Sequence, residues 1–437
     1  MGMKVLLVLL DGLGDRSYKV LENRTPLQAA QTPHLDRLAR TGSNGLLHAA
    51  LTGQGFPSET AHYLLFGYDL ELFPGRGLLE AVGYDVPFEE DDVLSLAHLS
   101  EITWQKGMPI LLNSRADIKG DAGEIGRLYS AITPYSSDGV DFHLHRTGLN
   151  DAILVIRGPV SPHISDCDTM MIGTALAKVV PMAGNPEPEK ADQTARALNR
   201  YLAHCHTILA RHEVNRDRVE KGLPAGNFLA TQRAGRRIVQ EPFHDKCGLK
   251  GMMIASGALY LGLGRELGMT AMKVADGKDP GEDLRERIRM ALADTAHDLI
   301  HVHTKAPDKA AHTKDPVRKR DVIESLDRGL DELAAAVEQR DDLLVVVTAD
   351  HSTPSSSLLI HSGEPVPVCF AGATIRRDAV TTFDEISAAG GCLGLLRGRE
   401  LMLMILNSAN RSTLVGHRLG PVERSYVPET YRPFRME

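Results

Sequence analysis

Asp11, Asp308, His312, Asp350, His351 and His361 have the residue types and spacing to bind divalent cations. Asp11 ends the apolar run Val5 to Leu10. Asp308, with His312 four residues on, follows the run Leu299 to Val302, and the adjacent pair Asp350-His351 follows Leu343 to Val347. His361 opens the cluster His361-Ser-Gly-Glu-Pro-Val-Pro, ten residues beyond that pair. Carboxylates mixed with imidazoles, without thiolates, suit Mn²⁺, Zn²⁺ or Mg²⁺. The i, i+4 spacing of Asp308 and His312 puts both on one face of a helical turn. Any one of these sites alone also reads as a solvated or helix-capping residue; their coincidence at the ends of apolar runs is the stronger signal. Ser58, in Phe56-Pro-Ser-Glu-Thr-Ala-His62, precedes the helical-looking stretch Thr60 to Leu65, where a serine ordinarily caps the helix. A divalent ion beside its hydroxyl would lower the hydroxyl pKa and make it a nucleophile near neutral pH. Spacing leaves both readings of Ser58 open.

The elements that must position these residues are short, continuous apolar strands, of the kind a parallel sheet covered on both faces requires. Helical periodicity follows at Leu35 to Thr41, Asp283 to Ala296 and Val322 to Gln339. The chain ends therefore read as an α/β domain with a doubly wound, mainly parallel sheet, in which ligands gather at the carboxyl edge of the strands. The middle differs. Val93 to Leu112 and Asp141 to Arg157 alternate like hairpin strands, Lys190 to Arg211 reads as a helix, and Val180 to Glu189 reads as a loop. This α+β pattern predicts an inserted lid or substrate domain at 91–220, with 1–90 and 221–437 forming the metal-binding core.

Of the 437 residues 43% are hydrophobic, and 49 Lys plus Arg face 57 Asp plus Glu for a net charge of −8. That balance excludes disorder and disfavours nucleic acid or an anionic membrane as partner. No apolar run approaches the roughly 20 residues of a spanning helix. Five scattered cysteines, without a C-x-x-C pair, suggest buried thiols in a reducing compartment. The expectation is a cytoplasmic protein.

The sequence resembles the archaeal-type cofactor-independent phosphoglycerate mutases, within the alkaline phosphatase superfamily. The resembling stretches include Leu9-Leu-Asp-Gly-Leu-Gly-Asp15, Thr25 to Ala39, and Ser58-Glu-Thr-Ala-His-Tyr-Leu-Leu-Phe-Gly-Tyr-Asp69. Further on they are Gly75 to Ala81, Val214-Asn-Arg, Ala306-Pro-Asp-Lys-Ala-Ala-His312, Asp350-His-Ser-Thr-Pro354 and His361 to Pro367. The resemblance implies a phosphatase-like core with two divalent ions and a small phosphorylated metabolite as substrate. Asp11, Ser58, Asp350 and His351 match the ligands of one ion, and Asp308, His312 and His361 those of the other. Ser58 matches the residue that becomes phosphoserine, and His62 ends the same segment, where it would orient the site.

The insert departs from the family pattern. The family's Gly-His-Arg-Ala is Gly148-Leu-Asn-Asp-Ala152 here, an arginine-rich turn keeps only Arg115-Ala116, and Gln232 stands in an arginine's place with Arg233 one step on. Leu261 replaces a lysine, and Ala275 to Pro280 lacks a Gly-Ala-Thr-Gly turn. Bidentate arginines are the usual clamp for carboxylate and phosphate. Arg115 and Arg233 are the first candidates to rebuild it, with Lys119, Arg127, Arg146, Arg157 and Arg236 behind them. Asp166-Cys-Asp168 reads as a turn. The altered clamp leaves two alternatives beside a mutase: a metal-dependent phosphatase or phosphonate-related hydrolase, and a non-catalytic binder of a phosphorylated metabolite.

Overall fold

The computed structural model describes residues 3–114, 117–356 and 358–436. In chain order the strands begin with β1 (Lys4–Leu10) and β2 (Gly42–His48). Then come β3 (Val93–Gln105), β4 (Met108–Asn113), β5 (Tyr135–Ser137), β6 (Val140–Arg146), β7 (Asp151–Arg157) and β8 (Phe228–Gly235). The last six are β9 (Gly251–Ala255), β10 (Thr270–Lys273), β11 (Leu299–Thr304), β12 (Leu343–Thr348), β13 (Val366–Gly372) and β14 (Gly394–Arg397). They divide between two compact units, one of Met1–Phe73 with Gln240–Glu437 and one of Pro74–Val239.

The first unit holds an eight-stranded sheet in the order β10-β9-β11-β1-β12-β13-β2-β14. Every neighbouring pair is parallel except the two that β13 makes. The chain is thus mixed α/β with a mainly parallel sheet. β11 and β12 are buried along their whole length, and β1 from Val5 onward, as strands covered on both faces must be. Register then does the positioning. Leu10 pairs with Thr304 and Leu9 with Thr348, so β1, β11 and β12 end together and release Asp11, the Asp308 segment and Asp350-His351 at one edge. Because β13 runs antiparallel to β12, its beginning lies at that edge, and His361 just precedes it. β2 also ends there and leads on to Ser58.

The helices start earlier than periodicity predicts. Asp279-Pro280 and Asp315-Pro316 provide an Asp cap followed by Pro, so the helices are Pro280–Ala293 and Pro316–Arg328. The predicted single helix Val322 to Gln339 is in fact two, Pro316–Arg328 and Asp331–Gln339. The chain breaks where Gly329 packs on Gly281: a Cβ at Gly329 would lie 2.3 Å from the Gly281 carbonyl oxygen. No helix among the described residues is long and apolar enough to cross a membrane.

The second unit is built on an antiparallel sheet, β4-β3-β7-β6-β5, with β8 also pairing with β3. Its core includes Phe142 stacked on Tyr201, on the helix Pro188–Leu209, with ring centroids 4.6 Å apart. The unit is wider than the predicted 91–220 at both ends. The helix Arg76–Gly83 lies so close to β3 that a Cβ at Gly77 would meet the Leu94 carbonyl at 2.1 Å, and β8 completes the pairing of β3.

Candidate active site

The site lies at the carboxyl edge of the eight-stranded sheet. Asp11, Asp308 and Asp350 are buried, at 0%, 1% and 2% exposure. In Asp350, Oδ1 accepts the N–H groups of Gly12 and His351, each at 3.0 Å. Gly12 is in the left-handed region, φ 68°, and a Cβ there would meet Thr353 Oγ1 at 2.6 Å and Asp308 Cβ at 2.8 Å. Only glycine fits this position without strain. Asp350 Oδ2 is left without a hydrogen-bond partner, 3.2 Å from His351 Nε2 and 3.4 Å from His62 Nδ1.

The ring tautomers follow from what each nitrogen faces. His361 Nδ1 lies 2.7 Å from the carbonyl oxygen of Phe56, so it donates, and Nε2 presents a lone pair. That lone pair faces Asp308 Oδ1 at 3.4 Å, and His312 Nε2 is 3.2 Å from the same oxygen. The Thr353 hydroxyl donates to Asp308 Oδ1 at 2.9 Å, so its lone pairs face His351 Nδ1 at 3.2 Å. His351 Nε2 is thereby turned toward Ser58 Oγ at 3.0 Å.

Ser58 opens the helix Ser58–Leu65 but does not cap it. Pro57 occupies the cap position, and the serine hydroxyl is left to His351 and to Lys305 Nζ, 3.0 Å away. The preceding loop is stitched to the His361 loop: Gly53 N–H donates to the Gly363 carbonyl at 2.8 Å, where a Cβ on Gly363 would lie 2.1 Å from Gly53 backbone. His62, one turn into the helix, places Nδ1 2.8 Å from the Ser58 carbonyl.

The electrostatics are those of a site that wants cations. Burial opposes ionisation of Asp350 and Asp308. The His351 and His62 imidazoles nevertheless hold Asp350 well below the usual carboxylate range, and His312 and Lys305 do the same for Asp308. For Asp11, burial and the Asp350 charge push upward, and Lys305 with His303 brings it down overall. Burial likewise opposes the Lys305 ammonium, but Asp11, Tyr260 and Asp308 raise it above the ordinary lysine range.

These residues fall into two groups, Asp11 with Asp350 and His351, and Asp308 with His312 and His361. Within each, the ligand atoms lie within 4.8 Å of one another. The donor set fits divalent ions on geometric grounds. A lone pair of His361 faces a carboxylate oxygen, and Asp350 Oδ2 is buried and orphaned; a cation satisfies both arrangements and a proton network does not.

The arginines predicted as substrate contacts belong to the second unit, apart from Arg115. Arg233 belongs to the second unit, on β8, with φ 56° and its N–H donating to Asp166 Oδ1 at 2.6 Å. Arg157 is held by Asp92 at 2.7 Å and Arg236 by Glu187 at 2.9 Å. Arg115 lies outside the described residues.

Four residues of the site carried no metal or nucleophile signal in the sequence: Lys305, Thr353, His303 and Tyr260. Lys305 lies three residues before Asp308, and His301 and His303 interrupt an otherwise apolar strand at i, i+2, which were the signals available. Tyr260 had none.

An α/β sheet that collects two carboxylate–imidazole groups at its carboxyl edge defines a metalloenzyme scaffold, and the comparisons agree. Residues 3–408 match the Metalloenzyme superfamily. The chain is 40% identical, over 98% of both chains, to "2,3-bisphosphoglycerate-independent phosphoglycerate mutase 2" of Methanocaldococcus jannaschii, and 36% identical to the mutase of Methanopyrus kandleri over 93% of this chain and 97% of that one. A solved cofactor-independent phosphoglycerate mutase from Thermoplasma acidophilum is 30% identical with a TM-score of 0.61, covering 93% of this chain and all (100%) of that one. A Pyrococcus horikoshii structure, 26% identical, aligns at a TM-score of 0.73 over 95% of this chain and 100% of its own. The chain belongs to the 2,3-bisphosphoglycerate-independent phosphoglycerate mutase family, within the Metalloenzyme superfamily.

Proposed function

We propose that this chain is a two-metal phosphoryl-transfer enzyme that interconverts the 3- and 2-phosphate esters of glycerate through phospho-Ser58. The observation that carries the reading is the placement of Ser58 Oγ, 3.0 Å from His351 Nε2 and 3.0 Å from Lys305 Nζ. The names of the family's curated members support it. Asp11, Ser58, Asp350 and His351 would hold one ion, and Asp308, His312 and His361 the other, with Mn²⁺, Zn²⁺ or Mg²⁺ suited to the donors. Such ions, when bound, depress the serine pKa and neutralise charge on the transferring phosphoryl group. Lys305 donates to Ser58 Oγ and holds positive charge where the nucleophile loses its proton. His62 fixes the Ser58 carbonyl and so the first turn of the helix. In the first step the Oγ–P bond forms as the ester P–O bond breaks, the serine proton passes to solvent, and the departing alkoxide takes up a proton to become the free hydroxyl. The reverse step onto the neighbouring hydroxyl of the same glycerate restores the serine.

One observation favours a second reading. Arg157 and Arg236 are engaged in ion pairs within their own unit, and Gln232 stands where the family has arginine. A depleted anion clamp favours hydrolysis of another small phosphate ester, as a phosphatase or phosphonate-related hydrolase. A pure metabolite binder has no use for Ser58. Free thiols at all five cysteines accord with a cytoplasmic location.

The test is 3-phosphoglycerate to 2-phosphoglycerate conversion on ion-loaded protein, with free phosphate followed in the same tube. Isomerisation without phosphate release is the expected result. Phosphate release from this or an aryl ester, without isomerisation, replaces the mutase by the phosphatase. Tight ligand binding with no turnover under any of the three ions leaves only the binder.

A further inference from the structure

Asp11 is enclosed by two residues that belong to neither ligand group. Its Oδ2 accepts a hydrogen bond from Tyr260 OH at 2.5 Å and from His303 Nε2 at 3.0 Å. Tyr260 comes from the helix Ala258–Glu266 and His303 from β11; they are 2% and 0% exposed, with ring centroids 3.7 Å apart.

The proton directions are fixed by the partners. His303 Nε2 faces a carboxylate oxygen, so it carries the proton. Tyr260 OH also lies 3.3 Å from Lys305 Nζ, which only donates. The phenol therefore accepts from Lys305 and gives its single proton to Asp11 Oδ2. Lys305 reaches both Asp11 oxygens at 3.3 Å, but Oδ1 has no neutral donor of this kind and lies 3.7 Å from His351 Nε2, on the side of the first group. Asp350 shows the same division, with Oδ1 satisfied by two N–H groups and Oδ2 left over. Asp350 thus keeps one oxygen without a partner, and Asp11 keeps one, Oδ1, whose hydrogen bond comes from the Lys305 ammonium that Oδ2 shares.

We infer that Tyr260 and His303 are positioning residues that fix Asp11 as a one-oxygen ligand and set how tightly the first group holds its ion. This rests on the proposed role of Asp11 as a ligand. Groups that orient a ligand carboxylate act through it, and their loss weakens metal affinity without touching substrate. The pair is also well braced. His301 and His303 lie on the same face of β11, and the His301 ring stacks 5.9 Å from His303 and lies 5.3 Å from His62.

The experiment is calorimetric titration of chelator-stripped, full-length protein with Mn²⁺, comparing wild type with Tyr260→Phe, His303→Ala and His303→Gln. Wild type is expected to take up two ions; if it takes up none, the ligand role of Asp11 fails before this inference is reached. Tyr260→Phe keeps the ring and removes one proton donor. It should weaken one of the two sites about tenfold and leave the other at the wild-type value. His303→Ala should weaken the same site, and His303→Gln, whose amide N–H replaces Nε2–H, should recover most of the loss. Wild-type affinity at both sites in Tyr260→Phe, or equal weakening of both, overturns the inference.

Discussion

Lys305 is the cation that two buried carboxylates and the serine hydroxyl share: its Nζ lies 3.1 Å from Asp308 Oδ2, 3.3 Å from Asp11 and 3.0 Å from Ser58 Oγ. In such a site a fixed donor aimed at developing negative charge is worth far more than in water. Lys305→Met should therefore lower kcat by about 10²-fold to 10³-fold at saturating ion. An unchanged steady-state kcat would remove Lys305 from the chemistry. Ser58→Ala tests the covalent route separately. It should abolish both isomerisation and incorporation of radiolabelled phosphate into the protein while Mn²⁺ still titrates; full activity would exclude phosphoserine. At this scale Asp11, Asp350 and His351, and Asp308 with His312, were conspicuous in the sequence because they follow apolar runs, and the fold gathers them into two groups with His361. Lys305, Thr353, His303 and Tyr260 were not. Their roles arise from proximity across the fold, Tyr260 reaching Asp11 from 249 residues away, and no local pattern encodes that.

The loops that hold the ligands are braced by elements that supply none of them. Lys319, buried in the helix Pro316–Arg328, donates to the carbonyls of Gly14 and Thr353 at 2.9 and 3.0 Å and to Asp15 Oδ2 at 3.1 Å. Glu385, at the start of the helix Glu385–Ala388, accepts from Asp15 N–H at 3.1 Å and from the Thr25 hydroxyl at 2.8 Å. Burial pushes the Glu385 carboxyl up to about 7, against the pull of those hydrogen bonds and of Lys319. The folded protein thus keeps this proton to a higher pH than the unfolded chain does. Stability contributed here is present below the unfolded glutamate pKa and falls as pH rises toward about 7. Glu385→Gln carries no charge at any pH and escapes that loss. Its stability advantage over wild type should grow between pH 5 and 7 to at most about 3 kcal/mol and then level off, at about 1.4 kcal/mol per pH unit. Urea unfolding at a series of pH values measures it, and a difference independent of pH would show that Glu385 is ionised in the fold. Strand positions were readable at this scale because buried parallel strands are continuously apolar. The break in the helix predicted at Val322 to Gln339 was not, because it is imposed by the Gly281 carbonyl from another helix.

The edges of the second unit were legible only roughly, since the helix Arg76–Gly83 joins it by packing on β3, and β8 by pairing with β3, rather than through any shift in composition. That the two carboxylate–imidazole groups fall within one unit has a consequence for the whole chain. Asp11, Ser58, Asp308, His312, Asp350, His351 and His361 all belong to the unit of Met1–Phe73 and Gln240–Glu437. Three of its carboxylates are buried close together, so ion binding relieves a repulsion that exists only in the folded unit. A ligand bound by the native state alone stabilises it by RT ln(1 + [L]/Kd), about 2.7 kcal/mol at a hundredfold excess over Kd. That gain should appear as slower amide exchange in β1, β11 and β12, whose ends carry the candidate ligands, with no change in β6 and β7 of the other unit. Hydrogen exchange read by mass spectrometry, with Mn²⁺ and after EDTA, measures it. Equal protection in both units would mean that ions act on the chain as one cooperative body, and protection in neither would mean that the carboxylate–imidazole groups do not hold ions in solution.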